Sequence, residues 1–156
     1  MTWNEVISDA SLRDLPYKIE LDGYGQIVMS PASNRHGFFQ GEIRSLLKEQ
    51  AADGRALVEC SIDTNDGVKV ADVAWLSEGF FAAHEFITPY PFAPDLCVEV
   101  ISPSNSDQAM EIKRGLYFSQ GAREVWFCND MGQLEFHNAQ GSMKFSQLFP
   151  KFPAQI

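Results

Sequence analysis

The sequence predicts an α/β or α+β fold in which a mixed β-sheet is flanked by helices. Three observations predict this class. Several pairs of short apolar runs are separated by turn residues, two further apolar runs are almost unbroken, and two longer segments have the apolar spacing of amphipathic helices. One of these helices lies between the two unbroken runs, which predicts a parallel strand pair joined by a right-handed crossover.

The first half of the chain is predicted to contain a short helix, a hairpin, a long helix and a second hairpin. Their ranges are, in order, Trp3 to Asp9, Tyr17 to Met29, Asn34 to about Ala52, and Ala56 to Ile62 with Val68 to Leu76. The first hairpin turns near Asp22-Gly23 and the second at residues 63–67, where Asp, Thr, Asn and Gly favour a turn. Ser33 or Asn34 is expected to cap the long helix.

The second half is predicted to contain a strand, a helix, a strand and a last hairpin. Their ranges are, in order, Asp95 to Ile101, Asn105 to Gln120, Glu124 to Cys128, and Gln133 to Asn138 with Met143 to Phe145. The helix has Ala109, Ile112 and Leu116 at helical spacing and ends before Gly121. The two strands around it are apolar on both faces, which is typical of central strands.

The 156 residues are expected to form one domain, residues 1–156, because the chain is long enough to bury a core and has no repeat or long linker. No segment has the composition of a membrane-spanning helix or a signal peptide, so we expect a cytoplasmic protein without a membrane partner. The three cysteines are an odd number and lie far apart in apolar runs, so we expect reduced core residues.

Two carboxylates lie in predicted strands whose other residues are mostly apolar. Asp72 shares a strand face with apolar side chains in Val68 to Leu76, and Glu99 does so in Asp95 to Ile101. Burying an ionised carboxylate is costly unless it is paired, hydrogen-bonded or bound to a metal. Such acids on neighbouring strands suit Mg²⁺ or Mn²⁺. The alternative, equally open from the residues alone, is that one or both lie at a strand end and form a salt bridge with Lys or Arg.

Lys113 lies on the helix that follows the strand of Glu99, four residues before Tyr117 and on the same helix face. From there it could hold an attacking water or stabilise charge on a phosphate. Taken by itself, a lysine on a helix is usually a solvated charge. Its place after the Glu99 strand is what makes Lys113 a candidate.

Several short blocks between residue 17 and about residue 138 occur in a recognisable order. They are Tyr17–Gly23, Val28–Pro31, His36, Ala71–Val73, Ala93–Ser104, Asp107, Lys113, Tyr117, Gly121 and Glu124–Trp126. In this order they resemble a bacterial family of restriction-endonuclease-like proteins in the PD-(D/E)XK nuclease superfamily. The most specific part is Pro94 to Ser104 followed by Lys113 and Tyr117. The resemblance implies a restriction-endonuclease-like mixed β-sheet flanked by helices.

The resemblance also implies a metal site. Asp72 and Glu99 would be ligands of Mg²⁺ (or Mn²⁺), with the carbonyl of Val100 as a third oxygen. Glu20 resembles the acid that some superfamily members supply from the early part of the domain, so it could complete the site.

The resemblance further implies a set of supporting residues. The superfamily's usual lysine lies two residues after the acid, where this sequence has Ile101. The lysine role would therefore pass to Lys113 on the next helix. The supporting candidates are Tyr117, His36 and Asp107, of which His36 could touch a phosphate.

The remaining histidines and aromatic residues are expected to have structural roles. His84 and His137 lack acidic or thiol partners at ligand spacing, so we expect surface or core-edge residues. The aromatic side chains are expected to pack the core and a loop lid: Phe80, Phe81, Phe86, Phe92 and Trp126. No Gly-rich phosphate loop, nucleophile elbow or pair of zinc half-sites is present.

Three functions follow as hypotheses. The first is a metal-dependent endonuclease that hydrolyses DNA phosphodiester bonds, in which Asp72 and Glu99 hold Mg²⁺ and Lys113 steadies the nucleophile. The second is a catalytically silent binding or assembly module, such as a homodimer, and the third is a hydrolase of small phosphoesters. The net charge of -9 counts against general binding to nucleic acid, although a locally basic cleft or a bound metal is compatible with it.

Overall fold

The computed structural model describes all 156 residues, and each predicted helix and strand is present. In chain order the elements are α1 (Trp3–Ser8), a 3-10 helix (Ala10–Leu12), β1 (Tyr17–Leu21), β2 (Ile27–Pro31), α2 (Asn34–Gln50), β3 (Arg55–Thr64), β4 (Gly67–Leu76), α3 (Glu78–His84), β5 (Leu96–Val100), α4 (Asp107–Ser119), β6 (Glu124–Cys128), β7 (Leu134–Asn138) and β8 (Gly141–Met143). None of the helices is long and apolar enough to cross a membrane.

The main sheet contains six strands in the order β3-β4-β5-β6-β7-β8. Strands β5 and β6 are parallel because α4 carries the chain back between them, and every other neighbouring pair is antiparallel. Strands β1 and β2 form a separate antiparallel hairpin. The predicted mixed sheet with a crossover helix is therefore confirmed.

The two long helices cover opposite faces of the sheet. On one face, α2 packs Phe39, Ile43 and Leu47 against alternate residues of the central strands, including Val98 and Trp126. On the other face, α4 packs Met110 and Tyr117 against the intervening residues, such as Cys97 and Val125. All five residues of β5 and of β6 are buried, as their apolar sequences predict. The three cysteines are buried and free, as expected.

A short helix that the sequence pattern did not predict, α3, follows β4. The Ser77 hydroxyl accepts a hydrogen bond from the Phe80 backbone N–H at 3.2 Å, which caps the helix. The side chains of Phe86 and Phe92, beyond α3, are 72% and 57% exposed. These two aromatic residues therefore lie outside the core, so for them only the expected place in a loop lid stays a prediction, whereas Trp126 is fully buried in the core as expected.

The last hairpin turns earlier than predicted, because β8 covers Gly141–Met143 rather than residues 143–145. The Asn138 side-chain oxygen accepts hydrogen bonds from the backbone N–H groups of Gln140 and Gly141 at 2.9 and 3.2 Å. This local bonding closes the turn immediately after β7. The new strand consequently begins at Gly141, whose positive φ of 138° suits glycine.

A third buried carboxylate, Glu124 at the start of β6, has a structural role that the sequence did not reveal. It is 2% exposed. One carboxylate oxygen accepts hydrogen bonds from Trp126 Nε1 at 2.8 Å and Ser146 Oγ at 2.7 Å. The other accepts from the backbone N–H groups of Gln147 and Leu148 at 2.8 and 2.9 Å. The three bonds from residues 146–148 fix the segment after β8 to the sheet.

We expect Glu124→Gln to lower the free energy of unfolding by about 2–4 kcal/mol, because the new NH₂ group faces hydrogen-bond donors and leaves them unpaired. Urea unfolding followed by tryptophan fluorescence measures the change. The control is Glu135→Gln on β7, whose side chain is 70% exposed and whose replacement should change stability by less than about 0.5 kcal/mol. Equal stability of the two variants would contradict the structural role of Glu124.

Candidate functional site

A pocket of about 350 Å³ opens where the ends of β4 and β5 meet the β1–β2 hairpin and the two long helices. Eight ionisable residues line it, and six of these, from five elements, are linked by ion pairs into one network: Lys18, Glu20, His36, Asp72, Glu99 and Lys113. The structure thus brings together the predicted metal acids, the predicted lysine and two of the additional candidates. Lys18 joins them without having been predicted.

Asp72 lies on β4 and is fully buried. Its Oδ2 accepts a hydrogen bond from the Val100 backbone N–H at 2.7 Å, and its Oδ1 lies 3.0 Å from Lys18 Nζ and 3.2 Å from His36 Nε2. Burial by itself would raise the pKa of Asp72, but the Lys18 and His36 side chains and the Val100 N–H hold that pKa well below its ordinary value. The carboxylate is therefore ionised and fixed in orientation.

The backbone at Asp72 is shaped by a gap in strand pairing. The β3–β4 register pairs Val58 with Val73 and Cys60 with Ala71, but Glu59 has no partner and adopts a positive φ of 53°. Gln40 on α2 fills this gap. Its Nε2 donates to the Asp72 carbonyl at 2.9 Å and to Glu59 Oε1 at 2.7 Å.

Glu99 lies on β5 and is 3% exposed. Its Oε1 accepts a hydrogen bond from Tyr117 Oη at 2.6 Å and lies 3.0 Å from Lys113 Nζ, and its Oε2 accepts a hydrogen bond from Lys18 Nζ at 2.9 Å. Burial raises the pKa of Glu99, although Lys113 and Lys18 act in the opposite direction. Burial also raises the pKa of Tyr117, and the Glu99 carboxylate adds to this rise, so the tyrosine stays a neutral donor.

Lys18 is the site residue that the sequence did not reveal. Its ammonium bridges Asp72 and Glu99, and its side chain is only 10% exposed. Burial would lower the pKa of Lys18, but Glu99, Asp72 and Glu20 reverse this effect and raise the pKa well above its ordinary value. One feature of the sequence could have revealed Lys18. Lys18 and Glu20 share a face of β1, so a strand that brings Glu20 into the site brings Lys18 as well.

Lys113 on α4 connects Glu20 and Glu99, with its Nζ 2.7 Å from Glu20 Oε1 and 3.0 Å from Glu99 Oε1. The same Glu20 oxygen accepts a hydrogen bond from the Val70 backbone N–H at 2.7 Å. Burial would raise the pKa of Glu20, but Lys113 and Lys18 together lower it. Lys113 is therefore part of a charged network and is not a solvated surface lysine.

Two of the predicted supporting residues lie in the site, and one does not. Tyr117 contacts Glu99, and His36 contacts Asp72, whose hydrogen bond raises the pKa of His36. Asp107 is exposed in the first turn of α4 and does not line the pocket. An acid in the first turn interacts favourably with the positive end of the helix dipole. This interaction explains an acid at position 107 without any role in the site.

Neither His84 nor His137 lines the pocket. His84 stacks on Phe80, with ring centroids 4.5 Å apart. His137 is a buried residue at the edge of the core, with its ring nitrogens 3.4 Å from Arg114 and 3.5 Å from Glu135. The expectation of structural roles therefore agrees with where both residues lie.

The donor chemistry of the site fits a hard divalent cation. No three His, Cys, Asp or Glu side chains are arranged as a preformed metal-binding group. However, one oxygen of Asp72 and one of Glu99 lie within 3.0 Å of the same cationic nitrogen. Mg²⁺ commonly takes only one or two protein carboxylates and keeps several waters. The role of the Val100 carbonyl as a ligand stays a prediction.

The fold and this arrangement of acids define a restriction-endonuclease-like protein. The model of the Uma2 family, described as "Putative restriction endonuclease", matches residues 9–149. The chain therefore belongs to the Uma2 family, and the resemblance seen in the sequence is confirmed.

A crystal structure of a "putative nuclease belonging to DUF820" from Anabaena variabilis ATCC 29413 has a similar fold. Its TM-score is 0.65 and its sequence identity 20%, and the match covers 83% of this chain and 76% of that one. At this identity the likeness shows the nuclease-like fold. No curated protein matches this chain.

We expect Tyr117→Phe to lower the free energy of unfolding by about 1–2 kcal/mol in metal-free buffer, because the buried Glu99 carboxylate loses a hydrogen-bond donor. Thermal and urea unfolding in EDTA measure this. Tyr24→Phe is the matched control, since Tyr24 is 92% exposed. If both variants are as stable as the parent protein, the Tyr117–Glu99 hydrogen bond does not stabilise the fold.

Proposed function

We propose that this chain is a metal-dependent endonuclease that hydrolyses DNA phosphodiester bonds. The observation that carries the proposal is the pair of buried carboxylates, Asp72 and Glu99, whose oxygens face one cationic position beside an open pocket. Family membership supports the same reading. Two buried acids and a partly buried third in one pocket are costly to a fold, and perturbed carboxylates in a cleft are typical of functional sites.

Asp72 and Glu99 would hold Mg²⁺ or Mn²⁺, with the Val100 carbonyl and Glu20 as further oxygen donors. A bound divalent ion polarises the scissile phosphate and lowers the pKa of a water molecule. The hydrogen bonds from the Val100 N–H to Asp72 and from Tyr117 to Glu99 fix the direction of both carboxylates. Both carboxylates are therefore oriented before a ligand binds. Residues that donate hydrogen bonds to metal ligands commonly orient those ligands in this way.

Lys113 would act on the nucleophile or on the phosphate. Glu20 and Glu99 hold its ammonium at the wall of the pocket, within 3.0 Å of Glu99. A cation there donates hydrogen bonds to an attacking water and stabilises negative charge that develops on the phosphate. His36, near the start of α2 with its Nε2 3.2 Å from Asp72 Oδ1, would contact a phosphate bound beside Asp72.

The local charge of the pocket differs from that of the whole chain. The net charge is -9, but the three acids of the site are accompanied by Lys18, Lys113 and the His36 imidazole. This compensation reduces repulsion of a DNA phosphate in the pocket, and long-range repulsion by the rest of the surface is screened by salt.

We expect the purified protein to nick supercoiled plasmid in the presence of Mg²⁺ or Mn²⁺ and not in EDTA. Asp72→Asn and Glu99→Gln should each lower the rate by about 100-fold or more, because each removes a metal ligand. Glu135→Gln is the carboxylate control and should retain the parent rate. Parent-like nicking by either site variant would exclude this mechanism.

Lys113→Met should lower the nicking rate by about 100-fold, the typical effect of removing one group that stabilises transition-state charge. It should leave Mn²⁺ affinity within a few fold, because Lys113 is assigned to the nucleophile and not to the metal. Lys48→Met, at an exposed position on α2, is the control. An unchanged rate in Lys113→Met would remove the lysine from the mechanism.

One observation favours a second candidate, a catalytically silent binding or assembly module such as a homodimer. The three acids are already matched by three basic side chains, so each acid has a basic partner without a metal. This candidate predicts no heat of Mg²⁺ or Mn²⁺ binding in calorimetry. A micromolar affinity that is lost in Glu99→Gln would count against it.

A third candidate is a hydrolase of small phosphoesters, which the net charge of -9 and a pocket of about 350 Å³ favour over long DNA. Competition separates it from the endonuclease. A nucleotide that is hydrolysed and that suppresses plasmid nicking at micromolar concentration would favour the small substrate.

A further inference from the structure

We propose that Lys18 is an internal cation that occupies the metal position of this site and has to be displaced when a divalent ion binds. The inference rests on the proposed function, because it concerns the same pair of carboxylates. It gives the chain a built-in competitor that sets the affinity for metal.

The geometry of the Lys18 ammonium carries the proposal. Its Nζ lies 3.0 Å from Asp72 Oδ1 and 2.9 Å from Glu99 Oε2, so one cation bridges two acids on adjacent strands. A divalent ion held by the same two oxygens would lie between them at about 2.0–2.6 Å from each. That position overlaps the ammonium, and two cations so close together repel strongly in a poorly solvated site.

Lys18 is the only basic residue that contacts both acids. His36 contacts Asp72, and Lys113 contacts Glu99 and Glu20. Either of these side chains can stay in place while a metal joins Asp72 to Glu99, because neither bridges the pair. The competition is therefore specific to Lys18.

The position of Lys18 in the fold allows the displacement. It lies on β1, in a hairpin separate from the six-stranded sheet, and it lines the open pocket. The four-carbon side chain can rotate into that space without a backbone shift. Glu20 Oε1 lies 3.9 Å from the ammonium, so Glu20 is close enough to form an ion pair with the displaced Lys18 side chain.

The consequence is a site that folds without metal and binds it weakly. In the metal-free protein the ammonium compensates two buried charges that would otherwise repel each other. Metal binding then has to break two charge-assisted hydrogen bonds, which lowers the affinity relative to an open site. Removing the ammonium should therefore tighten metal binding while weakening the metal-free fold.

Calorimetric titration with Mn²⁺ tests this on the full chain. We expect Lys18→Met and Lys18→Gln to bind Mn²⁺ about tenfold more tightly or better than the parent, since the two hydrogen bonds no longer have to be broken. Lys18→Arg keeps the charge and should bind no more tightly than the parent. Lys69→Met removes a different pocket lysine, one that contacts Asp66 and the Leu21 carbonyl, and should leave the affinity unchanged.

The outcomes distinguish failure of the Lys18 proposal from failure of the endonuclease proposal. Mn²⁺ binding by the parent with equal or weaker binding by both neutral variants overturns the role of Lys18 and leaves the endonuclease proposal standing. Absence of binding in all proteins overturns both. Binding by the neutral variants alone supports Lys18 as the competitor.

Folding of the neutral variants is followed by circular dichroism in EDTA and in Mn²⁺. Loss of structure in EDTA that Mn²⁺ restores supports the proposal, because the metal then takes the place of the missing ammonium. Variants that stay unfolded at millimolar Mn²⁺ overturn it.

Discussion

The burial of two carboxylates on adjacent central strands is the constraint around which this molecule is organised. Asp72 is fully buried and Glu99 is 3% exposed, and either charge without a partner would destabilise the fold by several kcal/mol. Lys18 provides the shared counter-charge, while His36 and Lys113 provide one more for each acid. These cations come from a hairpin and two helices. The site therefore exists only in the complete fold.

The β1–β2 hairpin brings the Lys18 counter-charge to the two carboxylates because it packs on the start of β4. The Glu20 carboxylate accepts a hydrogen bond from the Val70 N–H, and the Gly23 N–H donates to Asp66 at 3.0 Å. Gly67 has a positive φ of 79°, and a Cβ there would meet the hairpin backbone. These contacts fix the register between hairpin and sheet. They explain how a two-stranded hairpin, which is marginal in isolation, can hold a lysine in a buried site.

The sequence predicted the parts of the site that depend on local pattern. An acid in an apolar strand is conspicuous, so Asp72 and Glu99 could be found, and the resemblance joined Lys113 to them. Lys18 was missed because a lysine in a short strand normally faces water, and only the docking of the hairpin determines which face is buried. Asp107 was predicted to support the site but does not line the pocket, and the reason is related: its position in the chain does not specify its direction on the helix.

Glu124 shows why burial of a carboxylate does not by itself identify a functional site. It is as buried as Glu99 and lies on the neighbouring strand. Its four hydrogen bonds come from backbone N–H groups, an indole and a hydroxyl, all neutral and fixed by the fold. Glu99 and Asp72 are instead matched by side-chain cations from other elements, and one of these, Lys18, has a pocket into which it can move. A displaceable counter-charge leaves room for a ligand, whereas a fixed set of neutral donors leaves none. The identity of the partners therefore separates the structural acid from the candidate functional pair.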